Sequence, residues 1–312
     1  MVVSRLAQGV IVLLLVSAVT FFMVNLAPGG PAALMRLDIT QEQRDALTRR
    51  FGLDQPVPVR YLEWLGGALH GDLGTSLTTQ QPVVDRIAER LPNTLLLSGL
   101  ALTLSIVLGI PMGVVSALKR GGPTDYALST LSLLGLSIPA FWFGIMLILT
   151  FSVNLQFLPS SGVATTGADF SLTDRLEHLI MPTIVLSTAA LPTVVRFTRS
   201  AMLEVLGQDY IRTATAKGLS RPVVTYGHGL RNALVPIISV IGALVPRLVG
   251  GAVVTEAVFG WPGMGRLAVE AANGRDYPLV VGITVVIAAI VIFTSLVVDL
   301  AYTWIDPRIR LA

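Results

Sequence analysis

Long uncharged runs of apolar residues constrain this chain more than any other feature. The stretch from 93 to 118 contains no charged residue, and neither does the stretch from 126 to 168. A helix that crosses a bilayer needs about 20 predominantly apolar residues, because lipid offers no partner to an unsatisfied backbone group. The chain is 13% charged, whereas soluble domains average about 25%. The sequence therefore predicts a membrane protein.

Six segments meet this length requirement, which predicts an all-α polytopic membrane protein with six transmembrane helices. The first apolar stretch is longer than the roughly 7 to 15 residues usual in the core of a signal peptide. We therefore interpret it as a retained helix. The segments lie at residues 6–27, 93–118, 126–155, 179–197, 233–258 and 277–302.

These spans divide the chain into three predicted regions. An N-terminal transmembrane helix (1–27) is followed by an extracytoplasmic helical insertion (28–91) and a core of five transmembrane helices (92–312) with a polar loop at 199–232. The insertion contains amphipathic patterns, among them PVVDRIAERL at 82–91, which we expect to form separate surface helices. They either fold over the mouth of the bundle or form a docking surface for an extracytoplasmic partner.

The distribution of basic residues predicts the orientation. We set aside the 28–91 loop, because loops beyond about 60 residues cross largely regardless of charge. The short segments on the side of the two termini carry eleven basic residues: Arg5, Lys119, Arg120, Arg196, Arg199, Arg212, Lys217, Arg221, Arg231, Arg308 and Arg310. The opposite short loops carry three: Arg175, Arg266 and Arg275. Both termini and the 199–232 loop are therefore predicted to be cytoplasmic.

Residue usage argues against catalysis by this chain. It contains no cysteine, and its three histidines, His70, His178 and His228, lie far apart, so we expect no metal site. A phosphate-binding P-loop needs Gly-Lys followed by Ser or Thr, but the two lysines, Lys119 and Lys217, follow Leu and Ala. We predict a non-catalytic chain without a Walker A motif and without a cofactor of its own.

A gradient-driven secondary transporter is the alternative from another class. Such proteins place coupling carboxylates or unwound helices near the membrane midplane. The charged residues within the last two predicted spans are Arg247, Glu256 and Asp299. They form no chain of acids or histidines that would relay protons, which makes this the weaker alternative.

The segment DYIRTATAKG, residues 209–218, is the most informative polar stretch. Its small residues allow a narrow helix that approaches a partner groove closely, while Arg212 and Lys217 supply exposed charge. Gly218 is expected to end the helix, because glycine adopts the left-handed conformation at little cost. The competing interpretation is a helix lying on anionic lipid, but the apolar face is narrow for that role.

This segment resembles the EAA loop of ATP-binding-cassette importer permeases. The specific resemblance is to the first, B-type, membrane subunit of the dipeptide, oligopeptide and nickel permease family. The loop reads ATAKG where the motif that gives it its name has Glu-Ala-Ala. Other matching pieces follow in family order along the chain: FGLDQPVPVRYLEWL, GDLGTS, LSIPAFWFG, RSAMLEVLGQDYIRTATAKGL, FGWPGMGRL, GRDYP and DLAYTWIDPRIR.

The resemblance implies a subunit that works in a complex in the bacterial cytoplasmic (inner) membrane. Its expected partners are a homologous second permease subunit, two cytoplasmic ATPase subunits that bind ATP and Mg, an extracytoplasmic substrate-binding protein and the lipid bilayer, but no nucleic acid. The EAA helix would seat in a cleft of one ATPase subunit. The residues carried over for ATPase coupling are Asp209, Tyr210, Arg212, Thr213, Ala214, Ala216, Lys217 and Gly218.

Pathway or gating residues are also expected from the resemblance and from the spans: Ser137, Pro139, Phe141, Trp142 and Arg247. Arg247 either forms an ion pair with Asp299 or Glu256, or snorkels to the surface, or lines the pathway and meets the carboxylate of a passing peptide. Di- or oligopeptides are the expected cargo, and nickel chelates, glutathione or another small solute are the alternatives.

Overall fold

The computed structural model of the protein describes residues 2–26, 40–50 and 52–305. Within these ranges the chain is built from helices and their connections, and an isolated bridge joins Thr75 and Pro82. Two segments are π-helical, Ile148–Asn154 and Val223–Leu230. The α-helices, labelled α1 to α12 in chain order, are Val2–Leu26, Gln41–Arg50, Val57–Leu69, Val83–Leu118, Pro123–Ser137, Ala140–Leu147, Leu172–Ser187, Leu191–Leu206, Asp209–Ala216, Arg231–Val258, Met264–Asn273 and Tyr277–Ile305.

Four of the described helical segments are long and apolar enough to cross a membrane: α1, α4, α10 with the π-helical segment before it, and α12. Two helix pairs pass the same test together, but each is bent, α5 with α6 by 99° and α7 with α8 by 55°. The described residues therefore confirm an all-helical protein with four candidate spans, or six if each bent pair crosses once. The count of six stays a prediction.

The break between α5 and α6 follows from Pro139. The pyrrolidine ring disfavours the helical conformation for the residue before it, and Ile138 is extended, with φ −91° and ψ 125°. The predicted third span is therefore interrupted rather than continuous. The predicted fourth span is interrupted too, because α7 ends at Ser187 and α8 begins at Leu191 with Pro192 in its first turn.

The second span differs from its prediction at its beginning. α4 starts at Val83 rather than near residue 93. Val83 and Ile87 lie one turn apart, and both are buried in a cluster with Leu267 of α11 and Ile283 of α12. This packing extends the helix through residues 82–91, so the separate surface helix expected there is instead the first part of α4.

The chain divides into two compact units, one within 1–94 and 262–293 and the other within 95–261 and 294–312. In the first unit, the buried carboxylate of Asp276 holds the loop after α3 to the start of α12. It accepts hydrogen bonds from Ser76 Oγ at 2.5 Å and from the backbone N–H groups of Leu77 at 3.1 Å and Thr78 at 3.0 Å.

In the second unit, α8 packs against both α5 and α10. It also lies unusually close to α4, where Gly109 faces Val194 and Gly113 faces Thr198. A Cβ atom added to Gly113 would lie 2.5 Å from the Cβ of Thr198, which is too close for any side chain. This close approach fixes α8 against the bundle just before the chain enters the 199–232 loop.

Candidate functional site

The helix predicted from DYIRTATAKG is present as α9, Asp209–Ala216. Its end is defined by Gly218, which has φ +78°. The N–H of Gly218 donates to the carbonyl of Thr215 at 3.0 Å, and the N–H of Leu219 donates to the carbonyl of Ala214 at 3.4 Å. This pair of bonds is the Schellman ending that glycine favours. The helix therefore stops where the sequence predicted.

One face of α9 packs on its own chain. Ile211 and Ala214 are buried together with Val224 of the following π-helical segment, and Val205 and Leu206 at the end of α8 pack against them. The side chain of Ala214 is only 7% exposed. The sequence interpretation placed Ala214 among the residues that meet a partner, but its small side chain here lets α9 lie close to its own support.

The other coupling residues from the sequence interpretation are exposed. Arg212 and Asp209 approach each other at 3.4 Å on the solvent side of α9, and an exposed pair of this kind stabilises a helix by less than about 1 kcal/mol. A partner can therefore bind these two charged side chains with little loss of helix stability. The exposed set comprises Asp209, Tyr210, Arg212, Thr213, Ala216, Lys217 and Gly218.

Apolar side chains extend this exposed area, and the sequence interpretation missed most of them. Tyr210 is 44% exposed, and Tyr226 of the π-helical segment is 55% exposed. Leu219 and Val223 lie exposed between them in sequence. The signal that could have found them is the group of large apolar residues, Leu219, Val223 and Tyr226, that recurs every three or four positions after the polar helix. We call the exposed residues of 209–219 together with Val223 and Tyr226 the α9 surface.

A buried ion pair ties α8 to α5 shortly before α9. Arg199 donates from Nε and Nη2 to the two carboxylate oxygens of Asp125, both at 2.8 Å. The hydroxyl of Ser116, near the end of α4, donates to the same carboxylate, and the N–H of Gly121 does so at 2.9 Å. This Asp125 cluster joins three helices, and paired, hydrogen-bonded geometry of this kind is what a buried carboxylate requires.

The four predicted pathway residues near the third span lie at the break between α5 and α6. Ser137 ends α5 and its hydroxyl donates to the carbonyl of Leu133 at 3.3 Å. Pro139 precedes α6, and Phe141 and Trp142 in its first turn are exposed. The structure thus brings these four residues together at an exposed bend.

Arg247 lies apart from that bend, on α10 directly after Pro246. Its side chain is exposed, and no carboxylate among the described side chains forms a salt bridge with it. Glu256 is fully buried, and the expected Arg247–Glu256 pair is not among the salt bridges of the described side chains. The side chain of Asp299 falls outside the described residues, and the expected pair with it stays a prediction.

The described residues were also compared with the side-chain arrangement that a metal ion requires. No group of three or more His, Asp or Glu side chains in the described part of the chain is arranged to hold a metal ion. His178 is buried, and its Nδ1 lies 2.8 Å from the carbonyl of Asp174. That contact gives the histidine a role in the packing of α7.

Comparison with known families identifies the class of protein to which this helical chain belongs. The chain belongs to the family of binding-protein-dependent transport system inner membrane components, whose model matches residues 109–311. The model of the N-terminal part of such membrane components matches residues 1–98. The chain is therefore a multi-pass membrane protein of a subunit class that transports rather than catalyses.

Individual relatives match over almost their whole length. The oligopeptide transport system permease protein AppB of Bacillus subtilis is 44% identical, with 99% of this chain and 98% of the relative covered. The dipeptide transport system permease protein DppB of Escherichia coli is 41% identical, with 95% and 94% covered. In the inward-facing methionine transporter MetNI, a chain that is 18% identical matches with a TM-score of 0.59, covering 70% of this chain and 96% of that one. The last similarity shows a shared fold alone.

Proposed function

We propose that this chain is one of two homologous membrane subunits of an ATP-driven bacterial importer for di- or oligopeptides. Relatives named for oligopeptide and dipeptide transport match it from end to end, which supports the cargo class. The observation that carries the coupling role is the α9 surface, a short, rigidly ended helix with exposed charge and aromatic side chains. In this proposal the chain forms half of the pathway, and partner ATPase subunits bind ATP and Mg.

The packing of α9 suggests how nucleotide-driven movement reaches the pathway. Ile211 and Ala214 fix α9 to the end of α8, and the Asp125 cluster fixes α8 to α4 and α5. α8 also packs against α10. A partner that displaces α9 therefore moves α8, and with it the start of α5 and the side of α10, without bending α9 itself.

Cross-linking tests the proposed contact between α9 and the ATPase. The native chain has no cysteine, so single cysteines can be placed at Ala216 on the α9 surface and at Arg120, an exposed control on the same predicted side of the membrane. In the assembled complex, a short bifunctional reagent should join Ala216→Cys to an ATPase subunit and leave Arg120→Cys unlinked. Equal cross-linking yields at both positions would contradict the proposal that α9 docks on the ATPase.

The proposed topology predicts opposite labelling of two exposed positions. Gln81→Cys should react with a membrane-impermeant thiol reagent in intact cells, and Thr215→Cys should react only after permeabilisation, because basic loops stay in the cytoplasm. Gln81 is the suitable outer position, since nearby Ser76 is fully buried against Asp276. The reverse pattern would overturn the orientation.

Arg247 is proposed to line the pathway, because its guanidinium is exposed and free of salt bridges among the described side chains. A cation there can form charge-assisted hydrogen bonds with a peptide carboxylate. Arg247→Gln should leave assembly unchanged and slow uptake of free-carboxylate peptides about tenfold more than uptake of the same peptides with amidated ends. Equal effects on the two peptide forms would exclude this role, and failed assembly would favour a structural pair.

A further inference from the structure

A cavity in the first unit is lined by two arginine side chains together with aromatic and polar residues. It has a volume of about 500 Å³ and lies beside the C-terminal end of α1, the first turn of α3 and the start of α12. Polar and charged side chains line it together with aromatic rings, notably Asn25, Arg49, Arg60, Glu63, Trp64 and Tyr277.

Arg60 is the unusual member of this lining. Its guanidinium lies 5.9 Å from the ring centroid of Phe21, and burial lowers its pKa from the ordinary value. An arginine nevertheless keeps its proton in proteins, so the half-buried charge calls for compensation. No carboxylate in the described part of the chain forms a salt bridge with it.

The balance of charge around the cavity favours an anion. Arg49 adds a second cation, whereas Glu63 contributes a carboxylate from an exposed position on α3. The two guanidinium groups and one carboxylate leave a net positive lining. Guanidinium groups bind phosphate oxygens with paired, charge-assisted hydrogen bonds.

The neighbouring helices place this cavity at the level of the lipid head groups. The candidate span in α1 ends at Leu26 and that in α12 begins at Tyr277, and ends of apolar spans lie at the membrane–water interface. Phe21, Tyr61 and Trp64 form an aromatic cluster there, with Phe21 and Tyr61 centroids 5.4 Å apart. Aromatic residues are enriched at this interface.

The surface of α1 next to the cavity suits acyl chains. Val19 and Met23 are exposed apolar residues on α1, and Leu26 at its end is 77% exposed. A phospholipid could therefore lay its chains along α1 while its phosphate enters the cavity. One phospholipid molecule would then cover the apolar surface of α1 with its acyl chains and compensate the charge of half-buried Arg60 with its phosphate.

We propose that this cavity binds the phosphodiester of a phospholipid head group, with Arg60 as the principal contact and Arg49 as a second cation. The bound lipid would fix the end of α1 to α3 and to the start of α12. The cavity contains none of the residues assigned above to coupling or to the pathway.

Native mass spectrometry of the purified, assembled complex tests this directly. Delipidated complex is mixed with phosphatidylglycerol or with the phosphate-free diacylglycerol of the same acyl chains. The variants are Arg60→Gln, Arg49→Gln and a control, Arg175→Gln. Arg175 is exposed and, like Arg60, lies near an aromatic ring, 4.8 Å from that of Phe170. Size-exclusion profiles and Tm values establish that each variant is folded.

Wild-type and Arg175→Gln complexes should retain phosphatidylglycerol, whereas Arg60→Gln should retain about tenfold less. Arg49→Gln should show a smaller loss, which keeps the test valid if Arg60→Gln does not assemble. Diacylglycerol should not be retained, and soluble glycerol 3-phosphate should not displace the lipid, because the acyl chains contribute to binding. Equal retention by Arg60→Gln, or displacement by glycerol 3-phosphate or by an acidic peptide, would overturn the proposal.

Discussion

Replacing Gly218 with valine is expected to abolish peptide-stimulated ATP hydrolysis by the assembled transporter while leaving membrane insertion intact. Gly218 has φ +78°, and a β-branched residue in that conformation is strained by about 1 to 3 kcal/mol. No atom lies within 4 Å of the position that a Cβ would occupy, so the effect comes from the backbone alone. The chain would relieve the strain by undoing the Schellman ending and shifting α9.

The matched control for this change is Gly218→Asn. Asparagine tolerates the left-handed conformation and is found at this position of helix endings. It adds a side chain of comparable size, yet it should keep most of the stimulated ATPase rate. Stimulated hydrolysis by the valine variant at the wild-type rate would show that the geometry of this ending does not matter for coupling.

A second pair of variants separates the support of α9 from its partner surface. Ala214→Leu places bulk in the buried cluster with Ile211 and Val224, and overpacking there should displace α9 from α8. Ala216→Leu places the same bulk on the exposed side. The first variant should lose thermal stability as well as coupling, and the second should lose coupling alone.

Asp125→Ala is expected to have the largest effect on stability, lowering the Tm of the purified protein by several degrees and reducing stimulated ATP hydrolysis. The carboxylate accepts both hydrogen bonds of Arg199 and also those of Ser116 and Gly121. Removal of the carboxylate leaves the partly buried guanidinium of Arg199 and two further hydrogen-bond donors without their acceptor. The resulting loss in the free energy of unfolding is larger than the net contribution of the ion pair itself.

A double-mutant comparison distinguishes the pair from either residue alone. Arg199→Met in the Asp125→Ala background removes the unpaired cation, so the double variant should be more stable than Asp125→Ala. It should nevertheless stay uncoupled, because α8 is no longer tied to α5. Full recovery of both Tm and coupling in the double variant would show that the Asp125 cluster only neutralises the charge of Arg199 and does not transmit movement.

The sequence predicted α1, α10, α12 and α9 well, because the signals for them are local. Long, predominantly apolar runs identify helices such as α10 and α12 regardless of what packs around them. The end of α9 depends on the conformation of a single residue, Gly218, and so could be predicted from the sequence around it. The exposed charges of Arg212 and Lys217 follow from the same short segment.

What the sequence could not predict depends on contacts between distant residues. Asp125 and Arg199 meet across 74 positions, and Ser76 meets Asp276 across 200, and no local pattern pairs them. The inward direction of Ala214 follows from where Val224 packs. The partner of Arg247 is another such long-range question, because Glu256, one of the two expected carboxylates, is fully buried and the side chain of Asp299 lies outside the described residues.

Uptake of a radiolabelled tripeptide into proteoliposomes tests the central claim most directly. The vesicles contain the complete complex with ATP enclosed, and the binding protein is added outside. The account predicts accumulation that requires the enclosed ATP, persists when ionophores dissipate ion gradients, and disappears with Gly218→Val. Accumulation that proceeds without ATP and collapses on adding an ionophore would contradict it.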